Sequence, residues 1–533
     1  MKTNFSTRQP NLPLVQLYSV AAEPPSLQDN TADLDRLKKA LRRSLPNNRI
    51  VIPYNRMAIL AKSFRKAQFR GTAVINSLPH CVELVDFLAN PPEVLPAMAL
   101  DLGTTHLEAS LVDLVSGRIM ARATRENPQT EHGADILTRI HFTAGRTGRQ
   151  GDGLAVLHRQ VVGCINSLAE SLCRQATLAP GDIRALAVAG NTTMVHFLLD
   201  LNPYHICREP YIPMVNVPDP LHTEDLGLTI HPAAPVWIMP SVGSYFGGDL
   251  IAGILSTGLD QAEKPCMLID VGTNAEVLVG NRDWLIACAG AAGPALEGGV
   301  VEMGMRAGPG AIEHVEVDPE SGELTYTTVD NGPAAGICGS GMIDLMAGLY
   351  LARIIDIQGK FRSRPPDSPL RSNLTGDKTS KSFTIVPAEK SANGRPVLLT
   401  QVDLDALMRS KAAMYSILTT LINQVGLTFD ELDRIFVAGA FGKHIAPRQA
   451  IILGMLPDLD LSTYRPVGNS SLAGSETLLL DQDARTRSLA IAKKITYIEL
   501  NVNQEFMIRF SGCRFIPHTD RALFPSVPFF NDA

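Results

Sequence analysis

The sequence predicts an α/β protein, with a small N-terminal α/β domain followed by two lobes built on duplicated subdomains. Three observations carry that reading. A short phrase occurs twice, as Asp101-Leu-Gly-Thr-Thr105 and as Asp270-Val-Gly-Thr-Asn274. Each copy follows an apolar, strand-like run (97–100 and 267–269) and precedes another (107–112 and 275–279). A second phrase is also doubled: Asp182-Ile-Arg-Ala-Leu-Ala-Val-Ala-Gly190 is similar to Leu432-Asp-Arg-Ile-Phe-Val-Ala-Gly439, and each comes after its own hairpin. From Pro96 onward, strand and helix patterns alternate, which argues for α/β layers. The duplicated phrases lie too far apart for a solenoid and sit one in each half of the chain.

The expected domains are 1–95, 96–265 and 266–533. In the first, Pro24-Pro-Ser-Leu-Gln-Asp29 reads as a helix start with Ser26 as N-cap and Asp29 completing a capping box. Leu34, Leu37 and Leu41 then recur at helical spacing, and the helix should end by Pro46. Residues 50–52 read as a strand, and the Pro-rich run 89–96 as a linker. Residues 155–175 repeat Leu157, Val161, Ile165, Leu168 and Leu172 on one helical face. Residues 360–395 are polar and read as an exposed insertion. Residues 402–425 form a second amphipathic helix. The stretch from Pro517 to the end reads as a weakly structured tail.

Composition excludes several classes. The chain has 533 residues, 45% apolar and 19% charged, with a net charge of −6. This balance is ordinary for a soluble globular protein and gives no reason to expect nucleic acid or an anionic membrane surface as partner. No apolar run is long enough to span a bilayer, and no secretory leader is apparent, so a cytoplasmic location is expected. The eight cysteines (Cys81, Cys164, Cys173, Cys207, Cys266, Cys288, Cys338 and Cys513) nowhere approach the clustered spacing of an iron–sulfur or zinc site. No iron–sulfur cluster is therefore expected in this chain.

The doubled hairpins carry the chemistry. An Asp at the end of a strand can hold a hydrated magnesium ion or position a water. The glycine lets the backbone come close to a ligand, and the Thr hydroxyls and turn N–H groups can donate to phosphate oxygens. Two such hairpins facing each other could grip a polyphosphate. Asp270 and Asp101 are the candidate catalytic and magnesium-holding residues, the metal being held through water, and nothing in the sequence divides the roles between them. Gly103, Thr104, Thr105, Gly272, Thr273 and Asn274 are the candidate phosphate contacts. Gly339, Ser340 and Gly341 form a Gly-rich turn before an apolar helix, a natural anion site. Asp249, after Gly247-Gly248, is a further candidate for anchoring magnesium or water. Each has a plainer alternative: a turn-capping Asp or Thr, or a glycine required by helix packing. Cys338 reads best as a small buried residue.

The paired hairpins resemble the actin-like ATPase superfamily, whose subdomains are ribonuclease-H-like. That resemblance makes residues 101–105 phosphate 1 and residues 270–274 phosphate 2. Gly439, Ala440, Phe441 and Gly442 would border the adenosine. A narrower resemblance rests on Ala189-Gly-Asn-Thr-Thr-Met194, Ser244-Tyr-Phe-Gly-Gly-Asp249, Gly293-Pro-Ala-Leu-Glu-Gly298, Gly336-Ile-Cys-Gly-Ser-Gly-Met-Ile-Asp344 and Gly468-Asn-Ser-Ser-Leu-Ala-Gly474. These phrases look like the ATP-dependent reductive activators of corrinoid proteins, and the region around residues 24–29 looks like their middle domain. The resemblance implies ATP and Mg2+, and a partner that is a corrinoid protein or corrinoid-dependent methyltransferase whose cobalt is returned from Co(II) to Co(I). Members of that family usually carry an iron–sulfur module. The cysteine spacing here departs from that pattern and implies a separate low-potential electron donor such as a ferredoxin. The oligomeric state, homodimer included, stays open. Two other functions share the fold: a small-molecule kinase, for which the first half shows no sugar-kinase-like signature, and a nucleotide-dependent switch that docks a protein without electron transfer.

Overall fold

The computed structural model describes residues 12–46, 48–78, 80–144, 152–244, 246–272, 275–290, 301–362, 369–376, 381–500 and 504–530. The chain forms two compact units: Met1–Ser256 with Ser470–Lys493, and Thr257–Asn469 with Lys494–Ala533.

The first unit opens with a four-stranded sheet of β1 (Val15–Ala21), β2 (Ile50–Val51), β3 (Arg70–Ser77) and β4 (Val82–Leu88), in the order β1-β3-β4-β2. Helices Asp33–Leu41 and Met57–Lys66 bury Leu37, Leu41, Leu60 and Phe64 against it. The first helix starts later than the sequence suggests. Ser26 Oγ accepts from the Asp29 N–H at 3.1 Å, but this closes a local turn. Asp29 is drawn into an ion pair with the buried Arg36, which holds its carboxyl well below the usual range, and Ala32 precedes the helix without a side-chain cap.

The main sheet of this unit contains β5 (Pro96–Leu102), β6 (His106–Asp113), β7 (Ile119–Glu126), β8 (Leu186–Gly190), β9 (Leu221–His222) and β10 (Pro235–Ile238), in the order β7-β6-β5-β8-β10-β9. β5, β6 and β7 run antiparallel as a meander, while β8 and β10 join parallel. Helix Asp152–Ala176 lies where its apolar spacing placed it, with Leu157, Val161, Ile165, Leu168 and Leu172 all fully buried. Helix Ser470–Leu480, distant in sequence, packs on β5 and β8.

The second unit repeats the plan. β11 (Cys266–Val271), β12 (Ala275–Gly280) and β13 (Leu285–Gly290) form the antiparallel meander. Two three-stranded sheets follow: β14 (Ala311–Val317), β15 (Leu324–Thr328) and β16 (Gly336–Ile337), then β17 (Leu374–Thr375), β18 (Ser382–Val386) and β19 (Val397–Thr400). β20 (Arg434–Ala438), β21 (Tyr464–Gly468) and β22 (Ile495–Ile498) complete the main sheet in the order β21-β20-β11-β12-β13-β22. Apart from one edge strand each, the two main sheets have the same strand order and directions. Helix Gln401–Gln424 agrees with its sequence pattern and starts at a capping box, in which Thr400 Oγ1 accepts from the Asp403 N–H and Asp403 accepts from the Thr400 N–H.

Two expectations fail in this unit. The polar stretch 360–395 is not simply an exposed insertion: its described residues include β17 and β18, and Phe361, Leu370, Phe383 and Val386 are buried. The tail is not loose either. Cys513, Ile516, Phe524 and Val527 are buried, and the Phe524 ring lies 5.1 Å from that of Tyr415. Lys411, itself 1% exposed, donates to the carbonyls of Cys513, Phe515 and Pro517, each at 2.6 Å. Among the described residues no helix is long and apolar enough to cross a membrane.

Candidate functional site

In each unit the candidate site grows from the end of the central strand. Asp101 stands opposite Ala189 of the parallel neighbour β8, and Asp270 stands opposite Ala438 of β20. Both alanines precede a glycine, and both glycines are forced by the same close approach. A Cβ on Gly190 would lie 2.8 Å from the Leu102 carbonyl oxygen, and one on Gly439 would lie 2.9 Å from that of Val271. Gly439 also has φ +73°, and its missing side chain leaves room for Asp270, whose carboxylate would be 2.8 Å from a Cβ. The doubled phrases thus occupy equivalent positions in two equivalent sheets.

In the first unit the structure gathers Asp101, the turn of residues 103–105 and Asp249 at one strand end. Thr104 Oγ1 accepts from Asn191 Nδ2 at 3.0 Å, and Asn191 also caps helix Thr192–Leu198 by accepting from the Met194 N–H. Gly247 lies against Gly190 and Asn191, which brings Asp249 to the same strand end at the start of helix Gly248–Thr257. Asp249 keeps part of its surface exposed, but the protein packed around its carboxyl pushes its pKa up to about 6. Asp101 is half-buried, and its Oδ1 accepts from Ser471 Oγ at 2.7 Å. Ser475 on the same helix donates to the Leu100 carbonyl at 3.2 Å.

Behind residues 103–105 lies a buried polar layer that sequence reasoning missed. Asn127 Nδ2 donates to the carbonyls of Gly103 (3.0 Å) and Thr104 (3.1 Å), and the Asn127 N–H donates to the Thr105 carbonyl at 2.8 Å. Arg139, fully buried, donates to the Thr104 carbonyl at 2.7 Å, the Gly133 carbonyl at 2.9 Å and Gln129 Oε1 at 3.3 Å. Burial lowers its pKa to about 10, so it remains a cation at neutral pH. Nothing in the local sequence signals these roles. The structure also adds Ser471 and Asn191, which belong to phrases already noted but had no assigned task.

In the second unit, Asp270 and Gly272 are described, whereas Thr273, Asn274 and the phrase at 293–298 lie outside the described residues. Gly339, Ser340 and Gly341 open helix Gly339–Leu351, as their pattern suggests. The Ser340 hydroxyl donates to the Glu313 carbonyl at 2.8 Å. Glu313 in turn lies 4.0 Å from the His444 imidazole, at the end of helix Gly439–His444. The two Gly-led helices are therefore neighbours. Gly442 packs against the Val437 carbonyl, while the side chains of Ala440 and Phe441 lie outside the described residues. Cys338 is buried beside Ser340 Oγ at 3.3 Å. All eight cysteines are free thiols.

Known proteins share this arrangement. Residues 10–89 match the family described as the RACo linker region, residues 96–262 the RACo middle region, and residues 264–528 the C-terminal domain of RACo, the ASKHA domain. The family's linker thus falls on the N-terminal sheet and its middle region on the first duplicated subdomain. The chain is 30% identical to the "Corrinoid activation enzyme RamQ" of Eubacterium limosum over 518 residues, covering 95% of this chain and 84% of that protein. It is 24% identical to a "[Co(II) methylated amine-specific corrinoid protein] reductase" of Methanosarcina barkeri, covering 75% of this chain and 72% of the relative. Among solved structures, a "Reductive activator for corrinoid,iron-sulfur protein" superimposes with a TM-score of 0.87 at 36% identity, over 98% of this chain and 82% of the other. Family matches in order along the chain, a relative aligned over most of its length and the superimposed structure agree: this protein belongs to the RACo family of corrinoid activators, with an actin-like, nucleotide-binding ASKHA domain.

Proposed function

We propose that this protein hydrolyses ATP with Mg2+ to drive the activation of a corrinoid protein, whose cobalt is reduced from Co(II) to Co(I). The observation that carries the reading is the matched placement of Asp101 beside Ala189-Gly190 and of Asp270 beside Ala438-Gly439. The names of the relatives point to the same chemistry. The residues suit a nucleotide. Residues 103–105 offer hydroxyls and turn N–H groups for phosphate, and the helices led by Gly339 and Gly439 suit a nucleotide because free N–H groups gather at helix starts. Asp101, Asp270 and Asp249 supply the carboxylate oxygens that a hard cation and its waters take. Bound Mg-ATP would supply phosphoryl-transfer chemistry, in which positioning and electrostatics dominate.

In this reading Asp270 and Asp101 orient water and hold the metal through water, and Ser471 fixes the Asp101 carboxylate. Thr104, Thr105, Gly103, Gly272, Thr273 and Asn274 contact phosphate; Gly339, Ser340 and Gly341 meet the nucleotide at their helix start, and Gly439, Ala440, Phe441 and Gly442 border the adenosine. ATP and water become ADP and phosphate, while cobalt gains one electron. That electron comes from a low-potential one-electron donor outside these 533 residues, since the eight cysteines lack cluster spacing. Both partners would be met in the cytoplasm.

Asp270→Ala tests the assignment. The variant should lose more than about 99% of Mg-ATP hydrolysis, a cost of about 2.7 kcal/mol in the barrier, while its melting temperature without nucleotide stays close to wild type. Unchanged turnover in a folded Asp270→Ala protein would remove the second hairpin from the catalytic site.

A further inference from the structure

The polar layer behind residues 103–105 has features that ordinary packing does not require. Asn127, Gln129 and Arg139 are all fully buried. Among the described residues no carboxylate lies within ion-pair distance of the Arg139 guanidinium. Its partners are carbonyl and amide oxygens and the Met194 sulfur at 3.5 Å. The Asp135 carboxylate, at the start of the helix that carries Arg139, attracts the guanidinium only from beyond ion-pair distance. A buried charge with no partner in contact is costly, and an apolar side chain of similar size would fill the space at lower cost.

The geometry shows what this layer does to the turn. The carbonyls of Gly103, Thr104 and Thr105 are all bound from behind, two by Asn127 Nδ2, one of these also by Arg139, and the third by the Asn127 N–H. In a trans peptide the C=O and the following N–H point in opposite directions. Drawing the carbonyls of Gly103 and Thr104 inward therefore turns the N–H groups of Thr104 and Thr105 outward. Successive outward N–H groups make an anion-binding concavity. The guanidinium stands behind them, joined to the turn by a 2.7 Å charge-assisted hydrogen bond.

We propose that Asn127 and Arg139 are positioning residues for nucleotide phosphates: they hold the turn of residues 103–105 in its anion-binding form, and the buried Arg139 cation adds positive charge behind that turn. This rests on the nucleotide reading of the hairpin given above. It predicts selectivity for the phosphates over the nucleoside. Neither residue touches the nucleotide, so neither is catalytic.

The test compares Mg-ADP with adenosine by titration calorimetry in wild type, Arg139→Met, Arg139→Lys and Asn127→Ala. Arg139→Met should weaken Mg-ADP by about tenfold or more, equivalent to about 1.4 kcal/mol, and change adenosine by less than about twofold. Arg139→Lys keeps the charge and should recover most of the Mg-ADP affinity. Asn127→Ala should weaken Mg-ADP selectively, and it carries the comparison if Arg139→Met does not fold. Mg-ADP affinity unchanged in the folded variants, or Mg-ADP and adenosine weakened equally, would overturn the assignment and leave the layer a purely structural role. If wild-type protein binds Mg-ADP no better than adenosine, the nucleotide reading itself falls, and this proposal with it.

Discussion

Asp249 shows how a single residue can register function as a cost. Its carboxyl is raised to about 6 from an ordinary value of 3.8, because protein packed around it disfavours the charged form. A raised acid binds its proton more tightly in the folded state, so its contribution to stability is full below about pH 4 and is lost as pH rises to about 6. Asp249→Asn keeps the shape and removes the charge. It should melt about 2–4 °C higher than wild type at pH 7.5, show little difference at pH 4, and hydrolyse ATP more slowly. Thermal melts at the two pH values with a parallel ATPase assay check this; an equal melting temperature at pH 7.5 would contradict it. Residues of this kind are partly legible in the sequence. Asp101, Asp270 and their Gly-Thr neighbours announce themselves because a strand end, a carboxylate and a turn are adjacent in the chain. Ser471, Asn127 and Arg139 do not, because each reaches the first hairpin from a distant segment and looks locally like any polar residue.

At the scale of elements, periodicity decides what can be read. Helices Asp152–Ala176 and Gln401–Gln424 bury regularly spaced apolar residues, and their patterns give them away. The C-terminal segment has no period. Pro517 and scattered aromatics suggest a loose tail, but its order comes from tertiary contacts. The Lys411 ammonium meets three carbonyls, one for each of its N–H groups, although burial pushes its pKa down to about 7. Lys411→Met should leave those carbonyls without a donor, at about 1–3 kcal/mol for each that water cannot reach. The segment should then loosen. Cys513, 1% exposed, should react with a thiol reagent markedly faster, followed by mass spectrometry. An unchanged labelling rate at Cys513 would show that the aromatic packing of Phe524 on Tyr415 holds the segment without the clasp. The capping phrase at Ser26 misleads for the opposite reason: a valid local signal is overridden when Asp29 pairs with Arg36.

For the whole molecule, duplication is the organising fact, and the chain shows it directly because the repeated phrases keep their order in both halves. Register is not legible in the same way. Ala189 and Ala438 come to lie opposite Asp101 and Asp270 only through parallel pairing of strands far apart in the chain. The same limit applies to helix Ser470–Leu480, which returns to the first unit from beyond the second main sheet's β21. An ATPase core repeated in this way, in a member of the RACo family, makes cobalt reduction the central claim. The direct measurement mixes the protein with its cognate corrinoid protein in the Co(II) state, Mg-ATP and a low-potential electron donor under anaerobic conditions, and follows the cobalt absorption spectrum. Conversion to Co(I) should require the protein, ATP and the donor together, with ADP formed alongside. Conversion at the same rate without ATP, or no conversion in the complete mixture, would contradict the account.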